Sequence, residues 1–413
     1  PSTTTSMHEM EAMSASTTPG RQARLLHSLE DLLSESPESV AQRERRYAGL
    51  TDGTFEQPVV LMGAGRAGAR IGELLLGAGA RVLAFADNAP GLHGTSRLGL
   101  PVMSPDDAAR SYGTEALFVV TIWNSEHSYV ETEARLRSLG CESIAPWVPV
   151  AWAFGDALLP QYAAGLPSTV LALRGDVLSQ ADVWADPRSA EVYRQQVAWR
   201  MSGDFADLGD VDPVQYFAAD VIRPTRDEVF VDCGAYIGDT LIEFTEWAPG
   251  FRAVHAFEPD PDGYAALLET IDGFTPEARS RIHTYRSATG AGRGNRLFMG
   301  DGAGGRLVDA SGDAGDLQEV QSVSLDEVLA NEPVTFIKMD IEGAEREALS
   351  GGAKLIRDQG PVLALSAYHL QDDLWELPKL VRSLLPDHLL YLRPHRYDSF
   401  DCVLYAVPPD RKV

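Results

Sequence analysis

Cysteine is scarce: the 413 residues include only Cys141, Cys233 and Cys402, with no CxxC pair. An odd number at such wide spacing provides neither a disulfide framework nor a zinc site, and it fits a reducing cytoplasm. Positive charge is also short, with 35 Lys and Arg against 60 Asp and Glu and a formal net charge of −25. A surface of that sign repels phosphates, which argues against a nucleic-acid or anionic-membrane partner. No stretch approaches the ~20 apolar residues of a membrane span. The first residues hold no basic region followed by an apolar core, so no secretory signal is expected and the protein reads as soluble and cytoplasmic. The remaining composition is ordinary for a globular chain, at 44% hydrophobic and 23% charged. This length predicts two or three domains in place of one core.

Residues 1–22 are polar and read as disordered, from Thr3-Thr4-Thr5-Ser6 to Ser16-Thr17-Thr18-Pro19-Gly20. Leucines 25, 26, 29, 32 and 33 then recur at helical spacing and predict a helical arm over 23–56, which packs on the chain or makes a homodimer contact. Val59-Val60-Leu61-Met62 is a short buried strand, followed directly by Gly63-Ala64-Gly65-Arg66-Ala67-Gly68. A helix continues through Ile71, Leu74, Leu75 and Leu76, and a strand from Arg81 to Ala86 ends on Asp87, 19 residues after Gly68. This is the dinucleotide fingerprint in its proper context, with Gly63, Gly65, Gly68 and Asp87 as a candidate nucleotide site. Strand Ala116–Ile122, helix Glu126–Leu139 and strand Ser143–Trp147 complete a Rossmann-like α/β domain over 57–150. Residues 151–225 carry Val183, Trp184, Val192, Tyr193, Val197 and Trp199 at helical intervals and predict a helical connector.

A second α/β domain is expected over 226–413. Its strand candidates are Glu228–Cys233, Arg252–Phe257, Arg281–Ser287, Phe336–Met339, Val362–Ala367, Leu389–Leu392 and Cys402–Val407. Helical segments between the first five predict a parallel, doubly wound sheet, and the last two predict an antiparallel hairpin at one edge. Gly290 to Gly315 is rich in Gly, Asp and Ala and reads as a loop-bearing insertion.

Four successive strand ends of this domain carry polar residues: Asp232 before Gly234, Ala235 and Gly238; Glu258; Ser287 and Ala288; and Asp340 followed by Glu342. Open sheets bind ligands in the crevice over such strand ends. A carboxylate at Asp232, where a nicotinamide fold has glycine, repels a pyrophosphate but suits a cationic or hydroxyl-rich ligand. Glu258 sits where an acid grips ribose hydroxyls. S-adenosylmethionine is a ligand of that kind, with a ribose, an adenine, a sulfonium and no phosphate.

Four motifs, in order and spacing, resemble the FkbM family of methyltransferases from about Glu228 to Val407: Val231 to Thr240, Phe257-Glu258-Pro259, Val323-Ser324-Leu325-Asp326 and Phe336 to Glu345. Pro361 to Pro378, with Tyr368-His369 and Leu374-Trp375, is similar to the later part of that family. The resemblance implies a class I methyltransferase fold, S-adenosylmethionine as cofactor, and methyl transfer to a hydroxyl of a sugar, glycolipid or polyketide-type natural product. It carries over Asp232, Gly234, Gly238 and Glu258 as cofactor residues, with Ala235 in the same loop and Ser287 and Ala288 near the adenine.

An unactivated alcohol needs a base within hydrogen-bond reach. Asp340 is the first candidate, His369 the second, and Glu342 either orients the acceptor or joins Asp340 in holding a divalent cation. Glu342 and Glu345 also suit a helix cap. Cys233 reads as a small buried filler, Trp123 and Trp147 as core or interface aromatics, and His395 and Asp398 as part of a solvated edge loop, with contact to an acceptor as the alternative. Two alternatives stand beside the methyltransferase: an NAD(P)-dependent oxidoreductase, or a nucleotide-sugar-binding protein, each using the first glycine turn. Phe85-Ala86-Asp87-Asn88 with Gly99-Leu100-Pro101-Val102 resembles accessory domains beside sugar-modifying enzymes.

Overall fold

A computed structural model of the chain describes residues 28–300, 305–308 and 317–413. The expected disorder of residues 1–22 lies outside them. Among the described residues no helix is long and apolar enough to cross a membrane.

The first sheet has the order β3-β4-β2-β1-β5-β6. Its strands are β1 (Val59–Met62), β2 (Val82–Ala86), β3 (Ser96–Arg97), β4 (Leu100–Met103), β5 (Leu117–Val120) and β6 (Ser143–Pro146). All neighbours pair in parallel except β3, which turns back on β4 at the edge. The apolar runs of β1 and β5 are buried along their whole length, as central parallel strands covered on both faces must be. The β3–β4 hairpin, absent from the periodicity reading, is too short to show alternation.

The second sheet has the order β16-β17-β15-β14-β7-β8-β9. It comprises β7 (Val229–Cys233), β8 (Ala253–Phe257), β9 (Ile282–Tyr285), β14 (Phe336–Met339), β15 (Val362–Ser366), β16 (Leu389–Pro394) and β17 (Cys402–Val407). The strands β15, β14, β7, β8 and β9 are parallel. The expected terminal hairpin is present at one edge, with β17 antiparallel between β15 and β16 and β16 outermost. Alternation along β7 explains why both faces are filled. Val229, Val231 and Cys233 join a core with Ile337 and Leu363, while Phe230 points to the other side, against Phe244 and Phe336.

The described residues of the segment read as a loop-bearing insertion, with those flanking it, include short strands. β10 (Ala288–Thr289), β11 (Gly294–Met299), β12 (Arg306–Val308) and β13 (Leu317–Val323) form a separate four-stranded sheet in the order β10-β13-β11-β12. Phe298 and Val320 are buried on one face, while Glu319 and Gln321 beside Val320 are exposed and Leu297 and Met299 beside Phe298 are half-buried. Glycines dominate the composition of this stretch and mask that short alternation.

The helix Pro187–Ser202 joins the two halves. Tyr193, Val197 and Met201 pack into the core of the second sheet, and Trp199 belongs to that of the first. Within the arm, Leu33 and Val40 of the helices Leu29–Leu33 and Pro37–Glu44 are buried against the second core.

Candidate active site

β7 leads into Gly234 (φ +83°), Tyr236 (φ +45°) and Gly238 (φ +85°), and the helix Asp239–Trp247 begins. A side chain at Gly234 is excluded outright: its Cβ would lie 1.9 Å from the carbonyl oxygen of Asp340 on the adjoining strand end. The glycine thus lets the first and fourth strand ends meet. Ala235 is buried and its N–H donates to the Phe257 carbonyl at 3.0 Å, which ties the turn to β8.

The β7–β14 register places Asp232 opposite Lys338. Both are almost fully buried, and Lys338 Nζ stands 2.9 Å from Asp232 Oδ1 while donating to the Gly234 carbonyl at 2.7 Å. Burial pushes the Asp232 carboxyl above its ordinary range, against the pull of the ammonium. Burial works against the charge on Lys338 too, but Asp232 and Asp340 outweigh it and hold the ammonium above its usual range. The pair pins the glycine turn from beneath.

At the end of β8, Glu258 Oε2 accepts from Tyr236 N–H at 2.7 Å and Oε1 from Asp260 N–H at 2.8 Å. Each oxygen keeps a lone-pair direction for a further donor. Ser287, Ala288 and Thr289 follow β9, and all three are buried. These residues, with Gly234 and Phe257, line one end of a cavity of about 400 Å³.

The other end is built around Asp340. Its Oδ2 accepts from the Tyr216 hydroxyl at 2.7 Å, and Oδ1 lies 3.2 Å from His369 Nε2. His369 Nδ1 contacts Glu345 Oε1 at 2.8 Å, and Glu342 lies 3.7 Å from Nε2. Burial opposes charge on His369, yet Glu345, Asp340 and Glu342 outweigh it and hold the ring protonated. Asp340 is likewise pushed up by burial, but His369, Lys338 and Tyr216 hold it far below the usual carboxylate range. Glu342 behaves oppositely: burial pushes its carboxyl up to about 7, against His369 and the Tyr162 hydroxyl. It sits in a left-handed conformation, φ +55°, just before Gly343 at +98°. Such a conformation costs on the order of 1–3 kcal/mol for a residue other than glycine.

The cavity therefore brings together Gly234, Glu258, Ser287, Ala288, Asp340 and Glu342. Asp232, Ala235 and Gly238 support it from below or behind, and His369, 4% exposed, reaches it through Asp340. Gly63, Gly65, Gly68 and Asp87 do not line it. Among the described residues no cluster of three or more His, Cys, Asp or Glu is placed to hold a metal ion.

Sequence reading missed Tyr162, Tyr216, Arg396 and Asp401, which line the same cavity from the connector and from the turn between β16 and β17. No motif marks them, because they reach the site only through tertiary packing. The expectation of a solvated loop at His395 and Asp398 is corrected: both are buried. Asp398 Oδ2 meets His127 Nδ1 at 2.8 Å, and Oδ1 accepts from Tyr129 N–H at 3.1 Å. The chain after β5 thereby clamps the turn that carries Arg396, Phe400 and Asp401. Trp123 packs 5.1 Å from both Trp147 and Phe400, at the junction of the two halves. Cys233 is fully buried, as a filler would be.

A seven-stranded sheet of this order, with a glycine turn, an acid at the next strand end and a cavity over both, is a class I methyltransferase fold. Residues 232–398 match the family model described as the methyltransferase FkbM domain, and this part of the chain is such a domain. The FkbM methyltransferase of Methylobacillus flagellatus KT shares the fold over 94% of this chain and 99% of that one, at TM-score 0.72 and 23% identity. A precorrin-6y C5,15-methyltransferase of Geobacter metallireducens is far less similar (TM-score 0.29, 12% identity, 45% of this chain and 83% of that chain). The same holds for Aeropyrum pernix fibrillarin in complex with S-adenosyl-L-methionine (TM-score 0.27, 13% identity, 44% of this chain and 68% of that chain). No curated protein matches the chain by sequence.

Proposed function

We propose that the chain is an S-adenosylmethionine-dependent O-methyltransferase acting on a hydroxyl of a sugar, glycolipid or polyketide-type natural product. The observation that carries the reading is Glu258, fixed by two backbone N–H groups beside the Gly234 turn at the rim of the cavity. The residues present fit the cofactor. Glu258 offers acceptor capacity for a ribose diol, and Ser287 and Ala288 leave room for a flat base. When bound, S-adenosylmethionine supplies an electrophilic methyl group on a sulfonium. What remains for the chain is to orient the acceptor and remove its proton.

For that task Glu342 is favoured over Asp340 and His369. A carboxyl pushed up to about 7 is matched to proton uptake near neutral pH. Asp340 is too acidic to take a proton readily, and His369 already holds one. We assign Asp340 the fixed orienting role, with Tyr216 and His369 locking its two oxygens, and Tyr162 the role of presenting Glu342. The first sheet is assigned to the acceptor end of the cavity, where Ser125 lines the wall and His127 holds the β16–β17 turn.

Calorimetric titration with S-adenosylhomocysteine, NADH and a nucleotide-sugar tests the reading. Binding of S-adenosylhomocysteine is expected. Tight binding of NADH without S-adenosylhomocysteine would overturn the proposal in favour of an oxidoreductase using the Gly63–Gly68 turn.

A further inference from the structure

In the first sheet β1 and β5 are neighbours whose connections run to opposite sides, to β2 and to β6, and an open α/β sheet takes a ligand at such a switch point. Here the segment leaving β5 closes on the glycine turn instead. A Cβ at Gly63 would lie 2.8 Å from Ile122 Cγ1 and 3.2 Å from Thr121 Oγ1. The rest of that segment, Trp123 to Tyr129, reaches the second half of the chain. Ser125 lines the cavity, and the Trp123 ring packs 5.1 Å from that of Phe400.

What it reaches is a strained turn. Between β16 and β17, Asp398 (φ +53°), Ser399 (φ +70°) and Asp401 (φ +50°) are all left-handed, a conformation that residues other than glycine keep only when their surroundings impose it. Those surroundings come from residues before β7. His127 Nδ1 and Tyr129 N–H meet the two oxygens of Asp398 at 2.8 and 3.1 Å. The Ser399 hydroxyl donates to Gln196 Oε1 at 3.0 Å, and Arg200 holds that oxygen from the other side at 2.9 Å. The side chains of His127 and Asp398 are only 9% and 4% exposed, so water hardly competes for their contact. The turn they fix carries Arg396, Phe400 and Asp401 to the cavity wall, whereas the cofactor end around Gly234, Glu258 and Ser287 is built from the second half. Resting on the methyltransferase reading, we propose that His127 is a positioning residue for the acceptor. Through Asp398 it keeps the strained turn, and with it Arg396, Phe400 and Asp401, against the acceptor end of the cavity, while the cofactor end stands without it.

The test uses the full chain saturated with S-adenosylhomocysteine. His127→Ala removes the group facing Asp398, His127→Asn restores a nitrogen where Nδ1 stands, and Asp398→Ala breaks the same contact from the other side. Hydrogen exchange reads the turn, because the His395 and Phe400 amides donate within it to the carbonyls of Asp401 at 3.0 Å and Tyr397 at 3.1 Å. Both alanine variants are expected to speed exchange over 395–401 by about tenfold or more, as when a charge-assisted hydrogen bond holding a local segment closed is lost. His127→Asn should bring it back to within about threefold of the unaltered chain. Fluorine NMR of protein labelled with fluorotryptophan reads the wall itself. The Trp123 resonance, assigned with Trp123→Phe, should shift in both alanine variants as the Phe400 ring moves away, and return in His127→Asn. Affinity for S-adenosylhomocysteine is expected to stay within about twofold throughout. Should His127→Ala not fold, Asp398→Ala carries the same two readouts. Unchanged exchange and an unmoved Trp123 resonance, no rescue by asparagine, or a matching loss of S-adenosylhomocysteine affinity overturns the positioning role and leaves the methyltransferase reading standing. Failure of the unaltered chain to bind S-adenosylhomocysteine overturns both.

Discussion

At the end of β1, Ala64 N–H donates to Asp87 at 2.8 Å, and the other oxygen of Asp87 takes Ala89 N–H at 2.8 Å. At the end of β7, Tyr236 N–H donates to Glu258 at 2.7 Å, and the other oxygen of Glu258 takes Asp260 N–H at 2.8 Å. The two glycine turns are closed by the same device, an acid on the next strand accepting from the turn and from the residue two positions on. They part in what surrounds them. Gly68 is required because its Cβ would lie 2.0 Å from the Gly63 carbonyl, and the Thr121 hydroxyl settles over that carbonyl at 3.1 Å, so the first turn packs against its own domain. The second turn meets Asp340 across the sheet and opens on a cavity that the connector and the β16–β17 turn complete. A glycine turn with its acid is thus a way of closing a strand end, and the ligand site comes from what other strand ends add.

The comparison can be broken first at the chemistry proposed for the second turn. Glu342→Gln should lower kcat by about 10²–10⁴-fold, the usual contribution of a positioned base, with S-adenosylhomocysteine affinity retained. The pH profile sharpens this. A carboxyl with its pKa at about 7 loses its proton as pH rises and only then accepts one, so activity should climb through neutrality to a plateau near pH 8. That limb should vanish in the glutamine variant, and an unchanged profile would return the role to another residue.

Next in size is the support beneath the turn. Lys338→Met leaves Asp232 buried without its cation and should cost about 3–5 kcal/mol, read from urea unfolding. The variant with both partners made apolar, Asp232→Leu with Lys338→Met, should recover part of that loss. If Lys338→Met alone is neutral, the pair does not pin the turn.

The smallest effect is the direct contrast between the two acids. Glu258→Ala should weaken S-adenosylhomocysteine binding by about tenfold to a hundredfold, as expected when charge-assisted hydrogen bonds are lost. Asp87→Ala should lower the melting temperature and leave that affinity within about twofold. Equal losses of affinity in both variants would show that the turns share one ligand function.

Much of the second half was legible because its signals are local. Val229–Cys233 followed by glycines, the acid at Glu258 and the run from Phe336 to Glu345 each lie within a few residues, where strand burial and turn chemistry leave a mark in sequence. The insertion sheet of β10–β13 was hidden by its glycines, and β17 could not be placed between β15 and β16 from spacing alone. The choice among Asp340, His369 and Glu342 was also out of reach. Proton affinity is set by neighbours distant in sequence, and Tyr216 lies 124 residues from Asp340.

The sequence by itself determined the parallel sheets, the two glycine turns and the acids closing them, since these follow from periodicity and from residues a few positions apart. Only the tertiary structure decided how burial and neighbouring charges shift each carboxyl, and that the second turn opens on a cavity. It also decided that the first half of the chain serves the second by clamping Asp398 through His127. The physical reason is that burial and charge act through space, so a carboxyl's proton affinity belongs to its surroundings and not to its place in the chain.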